Sequence, residues 1–153
     1  MPGKKCILDA AGDALLHGIK ESPYLIKPNL PELSAIARRE LKTLRSIRDA
    51  ALFMMEYGAQ NVIVSMGKYG AMLVTKGRTY FSQALNVEVR STVGAGDAMI
   101  GGLLLGLVRG LPLEEAFRFG VAAGAASVMT DGTQLLRKSD FEALAPQVTV
   151  QEV

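Results

Sequence analysis

The sequence predicts an α/β fold, a three-layer α/β/α sandwich around a mostly parallel sheet, and three observations carry that prediction. Short apolar runs of strand type alternate with helical stretches along the chain. One of these runs, Val62–Ser65, is apolar almost throughout, as a strand covered on both faces must be. No internal repeat, low-complexity tract or linker interrupts the 153 residues, and at 49% hydrophobic they hold enough apolar material for the core of one domain.

Taken in order, Lys4–Ala10 is an apolar run behind two lysines. Gly12–Glu21 follows with apolar residues at Ala14, Leu15 and Ile19, so a strand feeds a helix. Tyr24–Pro28 reads as a second strand, stopped by Pro28, which lacks an N–H and pushes Lys27 towards extended geometry. A helix begins at Pro31, with proline in its first turn. Arg45–Tyr57 repeats apolar residues at Ile47, Ala50, Ala51, Met54 and Met55, a helical stripe that Gly58 ends. After Val62–Ser65, Ala71–Thr75 is its hairpin partner or neighbour, and Lys76–Arg78 turns the chain into Thr79–Phe81. Asn86–Arg90 alternates like a strand with one wet face. Leu113–Met129 is an alanine-rich amphipathic helix after the stop at Gly110–Pro112; Phe141–Leu144 is a last short helix with Ser139 as its cap, and the chain from Pro146 onward is expected to fray.

Between these elements lies the stretch that carries the chemistry, Arg90–Val108. It passes through Gly94, Ala95 and Gly96 into an apolar helix with Asp97 in its first turn. The first N–H groups of a helix have no partner within it and lie at the positive end of its dipole, so small residues there let an anion rest on the main chain. Asp97 reads either as a helix cap or as a base that takes the proton of a hydroxyl attacking a bound phosphate.

The string Thr92-Val-Gly-Ala-Gly-Asp97 followed by a small-residue helix resembles the second signature of the ribokinase-like (PfkB) carbohydrate kinase family. Ile26–Leu33, Val64–Ala71 and Phe119–Ala126 resemble further blocks of that family, in family order. From about Cys6 to Leu144 the chain looks like the C-terminal half of such a kinase, most similar to the minor 6-phosphofructokinase branch. The resemblance implies ATP-dependent phosphoryl transfer to a sugar or sugar phosphate, with Asp97 as base and the backbone of Gly94, Ala95 and Gly96 as anion hole. It also implies that Asn29 and Glu32 steer Mg²⁺, largely through water; a magnesium ion keeps most of its hydration and needs only one or two protein oxygens.

Other positions carry both a ligand reading and a plainer one. Asn29 and Glu32 also fit a turn residue and a first-turn dipole partner, and Lys27 is either a phosphate contact in that crevice or a solvated lysine. Ser65, Met66, Gly67, Lys68, Tyr69 and Gly70 resemble the nucleotide-lining turn of the family, or form a plain β-turn. Val121 and Ala125 would flank an adenine ring, although the small residues of Gly120–Ala126 equally serve close helix packing. Ser91, Val93, Ser127, Thr130, Gly132 and Gln134 match the family positions whose backbone oxygens hold a monovalent cation such as K⁺.

Several classes are excluded. Seventeen basic residues against fifteen acidic ones leave a net +2, too balanced for a nucleic-acid or anionic-membrane binder. The apolar runs at Ala98–Val108 and Val121–Met129 are broken by glycine and fall short of the roughly 18 residues that span a bilayer, and no export signal is read at the start. Cys6 stands alone, which fits a reducing cytoplasm and a buried thiol. With His17 the one histidine, on a helix far from the motifs, no zinc site can be built from the usual ligands. There is no Walker loop, and no dinucleotide fingerprint after a first strand.

Nothing in the chain resembles the family's glycine-rich first signature or its sugar-covering β lid. The expectation is therefore the nucleotide-binding and catalytic-base portion of a longer kinase. The partner half would come from a longer reading frame or another chain, and self-association of an uncovered sheet edge is the other possibility. The rival reading is a nucleotide-binding module that transfers no phosphate.

Overall fold

The computed structural model describes residues 4–153. It is an α/β protein whose six strands lie in one sheet in chain order: β1 (Ile7–Leu8), β2 (Leu25–Ile26), β3 (Val62–Ser65), β4 (Ala71–Thr75), β5 (Arg78–Ser82) and β6 (Gln151–Glu152). Among the described residues six helices accompany them: α1 (Gly12–Ile19), α2 (Leu30–Ala37), α3 (Leu44–Glu56), α4 (Ala95–Val108), α5 (Leu113–Val128) and α6 (Lys138–Leu144). Among the described residues, no helix is long and apolar enough to cross a membrane. The chain gathers into two compact units, Met1–Met66 with Met72–Tyr80 and Glu152–Val153, and Gly67–Ala71 with Phe81–Gln151.

In the first unit β1, β2 and β3 run parallel, with Leu8 opposite Ile26 and Ile26 opposite Val62. Parallel neighbours need long crossovers, and α1 supplies the first while α2 and α3 supply the second. Most of the apolar faces predicted by periodicity are buried: Leu15 and Ile19 of α1, Leu33 of α2 and Ile47, Ala50, Ala51 and Met54 of α3, along with Leu25, Ile26, Val62 and Ile63 of the strands, whereas Ala14 is exposed and Met55 half-buried. The strands are shorter than the sequence implies, two residues for β1 where a run to Ala10 is expected. Pairing stops at Leu8, where the chain leaves the ladder, and Asp9, Ala10 and Ala11 lead to the helix at Gly12.

The second unit is built on α4 against α5. Gly102 and Gly106 form the contact strip of α4. A Cβ on Gly102 would lie 2.4 Å from the Phe119 carbonyl oxygen and 2.7 Å from Ala123 Cβ, and one on Gly106 would lie 2.7 Å from Ala116 Cα. Leu103, Ala116, Phe117, Ala122 and Ala126 are buried about that seam. Because α4 is apolar on every side and α5 covers only one, Leu104, Leu105 and Val108 remain exposed. Arg118 on α5 pairs with Glu115 at 3.1 Å and donates to the Val148 carbonyl, while Phe119 meets Phe141 of α6 edge to face at 5.5 Å.

Four expectations are corrected. Asn86–Arg90 is not a strand: its alternation is present, but Val89 is 61% exposed and Arg90 donates its N–H to the Val128 carbonyl at 2.7 Å, the end of a helix rather than a strand. Cys6 is exposed, not buried, because it precedes β1 at the edge of the sheet. Ser139 does not cap α6; the helix begins one residue earlier, and Arg137 is its N-cap, with its carbonyl accepting from Asp140 and Phe141. The segment after Pro146 does not fray. Val148 is buried, and Val153 donates to the Thr79 carbonyl at 2.9 Å, since the outer edge of β5 offers an unfilled backbone acceptor.

Two adjacent glycines of α4 test the seam with opposite signs. Gly102→Ala forces a methyl group into the backbone of α5 and is expected to lower stability by about 1–3 kcal/mol in urea unfolding. Gly101→Ala meets nothing within 4 Å and is expected to raise it by up to about 1 kcal/mol through helix propensity. Equal effects at both positions would contradict the close approach.

Candidate active site

In the first unit the carboxyl ends of β1, β2 and β3 carry the polar residues. This is the end of a parallel sheet at which α/β folds place ligands. Lys27 follows β2, Pro28 ends the strand, and Asn29 turns the chain into α2. Asn29 extends the ladder by a parallel bridge to Ser65, and Ser65 donates its N–H to the Pro28 carbonyl at 3.1 Å. Asn29 and Glu32 form a reciprocal capping box: Asn29 Oδ1 accepts from the Glu32 N–H at 2.8 Å, and Glu32 Oε2 accepts from the Asn29 N–H at 2.9 Å.

The plain reading of that pair, a helix start, is therefore present. It engages one oxygen of each side chain and leaves Glu32 Oε1 and the Asn29 amide nitrogen outside the box. No cluster of three or more His, Cys, Asp or Glu that could cage a metal exists among the described residues. A magnesium ion bound mainly through its own water asks for no such cluster, and one spare carboxylate oxygen at a strand end fits it. Lys27 is not the solvated lysine of the plain reading. Its side chain is 7% exposed and its ammonium lies 3.5 Å from Asp9 Oδ1.

In the second unit Gly94 is the N-cap of α4 at φ 79°, a left-handed conformation that glycine adopts without strain. The Ala95 N–H closes a long turn to the Thr92 carbonyl at 3.3 Å, so of the three predicted anion-hole amides this one is already engaged. Gly94, Gly96 and Asp97 donate their N–H groups to no acceptor among the described residues. The Asp97 side chain is exposed in the first turn and makes no capping bond. The cap reading of Asp97 is thus not what the helix start uses.

The loop after α5 gathers oxygen atoms. Thr130, 3% exposed, places its hydroxyl 2.9 Å from the Ser127 carbonyl and 2.9 Å from the Gln134 carbonyl. A hydroxyl has one proton and satisfies one of the two, so the group is acceptor-rich. Gly132 turns this loop at φ 57°. Ser91 Oγ accepts the Val93 N–H at 3.3 Å, and Val93 itself is exposed. Beside them a cavity of about 180 Å³ is lined by Thr130 together with Glu88, Arg90 and Asp131, where Arg90 pairs with Asp131 at 3.2 Å and with Glu88 at 3.6 Å.

Gly67–Tyr69 forms a single 3₁₀ turn closed by Gly70 N–H to the Gly67 carbonyl at 3.1 Å, with Lys68 and Tyr69 outward, while Ser65 and Met66 lead into it. The small residues of α5 divide between two tasks: Gly120 and Ala123 face α4, while Val121 is buried and Ala125 half-buried. His17 is exposed, its Nδ1 2.7 Å from the Asp13 carbonyl, which is the surface role expected. Sequence reasoning missed Asp9; the one signal for it was an acid at the end of the first strand, which alone cannot say what lies beside it.

The sequence comparisons carry the class of protein. Residues 3–139 match the family described as pfkB family carbohydrate kinase, and the chain belongs to that family. It is 36% identical over 146 residues to the 1-phosphofructokinase of Bacillus subtilis, across 95% of this chain and 48% of that protein. It is 40% identical over 142 residues to the ATP-dependent 6-phosphofructokinase isozyme 2 of Escherichia coli, across 92% of this chain and 46% of that protein. The crystal structure of phosphofructokinase-2 from Escherichia coli in complex with potassium superposes with a TM-score of 0.86 at 39% identity, over 94% of this chain and 47% of that one. The ribokinase-like α/β class expected from the sequence holds. The chain spans about half the length of the relatives it matches.

Substitutions in the capping box separate its structural duty from a ligand role. Asn29→Ala is expected to lower stability by about 1 kcal/mol, whereas Glu32→Gln, which can still close the box, should stay within about 0.5 kcal/mol of wild type in thermal or urea unfolding. A large loss in Glu32→Gln would mean that its charge, not its cap, holds α2 in place.

Proposed function

We propose that residues 1–153 form the nucleotide-binding and catalytic-base portion of a kinase domain that moves the γ-phosphoryl group of ATP to a hydroxyl of a sugar or sugar phosphate, as a phosphofructokinase does. The observation that carries this reading is the start of α4, where, among the described residues, the N–H groups of Gly94 and Gly96 have no acceptor and the Asp97 carboxylate makes no capping bond. Family membership and the phosphofructokinase relatives support the same chemistry.

In this reading the acceptor hydroxyl gives its proton to Asp97 as its oxygen bonds to the γ-phosphorus, and the bond from that phosphorus to the β–γ bridging oxygen breaks to release ADP. The amides of Gly94 and Gly96, with a smaller share from the already bonded Ala95, stabilise the charge that builds on the phosphoryl oxygens. The family resemblance assigns a phosphate contact to Lys27, a nucleotide-lining turn to Ser65–Gly70 and an adenine slot to Val121 and Ala125. Asn29 and Glu32 would hold Mg²⁺ through water, and the metal would neutralise charge on the phosphates. The oxygens gathered at Ser127, Thr130 and Gln134, with Ser91, Val93 and Gly132, suit a monovalent cation; a related phosphofructokinase-2 was crystallised with potassium.

A second reading, a module that binds nucleotide without transferring phosphate, is favoured by one fact, the half-length match to the relatives. Calorimetry with Mg-ATP followed by a transfer assay over a panel of sugar phosphates separates the two: binding with turnover supports the kinase, and binding without turnover supports the module. Where turnover is found, Asp97→Asn is expected to lower kcat by at least about 100-fold with ATP affinity near wild type. Near-normal turnover would remove Asp97 from the role of base.

A further inference from the structure

The register Leu8↔Ile26 places the residues after β1 and β2 side by side, so Asp9 and Lys27 are neighbours at the carboxyl ends of two parallel strands. Their ion pair is lopsided. The ammonium sits in a side chain that is 7% exposed, next to the fully buried Leu25 and Ile26, while the Asp9 side chain is 37% exposed. Taking an ammonium out of water is unfavourable, and an apolar residue of similar size usually stabilises such a position as well or better. A buried lysine with one acid beside it is therefore poorly explained by stability. It is explained if the ammonium must stand in a fixed place for an anionic ligand, beside the Asn29–Glu32 helix start.

We propose that Asp9 is a positioning residue for Lys27, holding its ammonium at the strand ends where it receives the phosphate chain of the nucleotide. The inference rests on the nucleotide-binding part of the reading above but not on Asp97. Asp9 touches no reacting atom; it acts through Lys27, because the lysine stem has four rotatable bonds and the pair limits where its head can go. Asp9 matters only while Lys27 is present, and it matters to the nucleotide rather than to the sugar.

The test is a double-mutant cycle on Asp9→Asn, Lys27→Met and the two together, with Mg-ATP affinity by calorimetry and, where turnover is present, KM for each substrate and kcat. Asp9→Asn is expected to weaken Mg-ATP binding about 10-fold, with kcat and the sugar KM within about 3-fold, and to add less than about 2-fold in the Lys27→Met background. Wild-type nucleotide affinity in Asp9→Asn, or an undiminished further loss in the Lys27→Met background, overturns the proposal. If Asp9→Asn does not fold, Asp9→Glu keeps the charge and moves it by one methylene: weakened Mg-ATP binding supports the proposal and unchanged binding overturns it. A wild-type chain that binds no Mg-ATP overturns both this proposal and the nucleotide reading beneath it, whereas loss of the base assignment alone appears only in Asp97→Asn and leaves the cycle intact.

Discussion

A helix cannot satisfy its own first N–H groups, and the second unit is arranged around that constraint at the start of α4. Gly94 in the left-handed region reverses the chain so that the amides that follow are presented rather than buried. Gly96 adds no side chain over them, and no residue of the loop supplies a capping side chain. On α2 and α3 the same constraint is met by reciprocal caps, Asn29 with Glu32 and Thr43 with Ser46. The starts of α1, α5 and α6 also lack a side-chain cap, so what sets α4 apart is a left-handed glycine at its N-cap and small residues after it, which leave the Gly96 N–H without an acceptor among the described residues.

Presenting those amides requires that α4 be held still, and α5 does this through backbone proximity rather than side-chain bulk. Gly102 and Gly106 bring α4 against Phe119, Ala123 and Ala116, distances at which any side chain would collide. The small-residue stripe of α5 is therefore largely a packing device, and only Val121 and Ala125, turned off that seam, stay open to the adenine reading. In the first unit the corresponding rigidity comes from parallel register, which sets Asp9 beside Lys27 and Asn29 beside Ser65, although the partners in each pair are remote in sequence.

The positions where sequence reasoning failed share a cause. Asn86–Arg90 has the alternation of a strand but no partner strand among the described residues, and the tail after Pro146 looks expendable until the free edge of β5 takes it up. Pairing is a property of two segments, and a pattern in one of them cannot report it. Cys6 was misplaced in the same way, since burial depends on whether anything lies outside β1. Lys27 was read as a lone lysine with two possible fates, and only the neighbouring strand decides between them.

The sequence by itself determined the order and type of almost every element, and the starts of α2 after Asn29 and of α4 after Gly94, because these depend on local rules: hydrophobic period, turn residues, and glycine where the backbone turns left-handed. Tertiary structure alone decided that Lys27 is buried against Asp9, that Ala95 has its N–H engaged while Gly96 does not, that the oxygens of Ser127 and Gln134 meet at Thr130, and that Gly102 and Gly106 of α4 lie against α5. Each of those facts is a distance between atoms remote in the chain or a hydrogen bond made or left unmade, and neither is encoded in the order of residues along one segment.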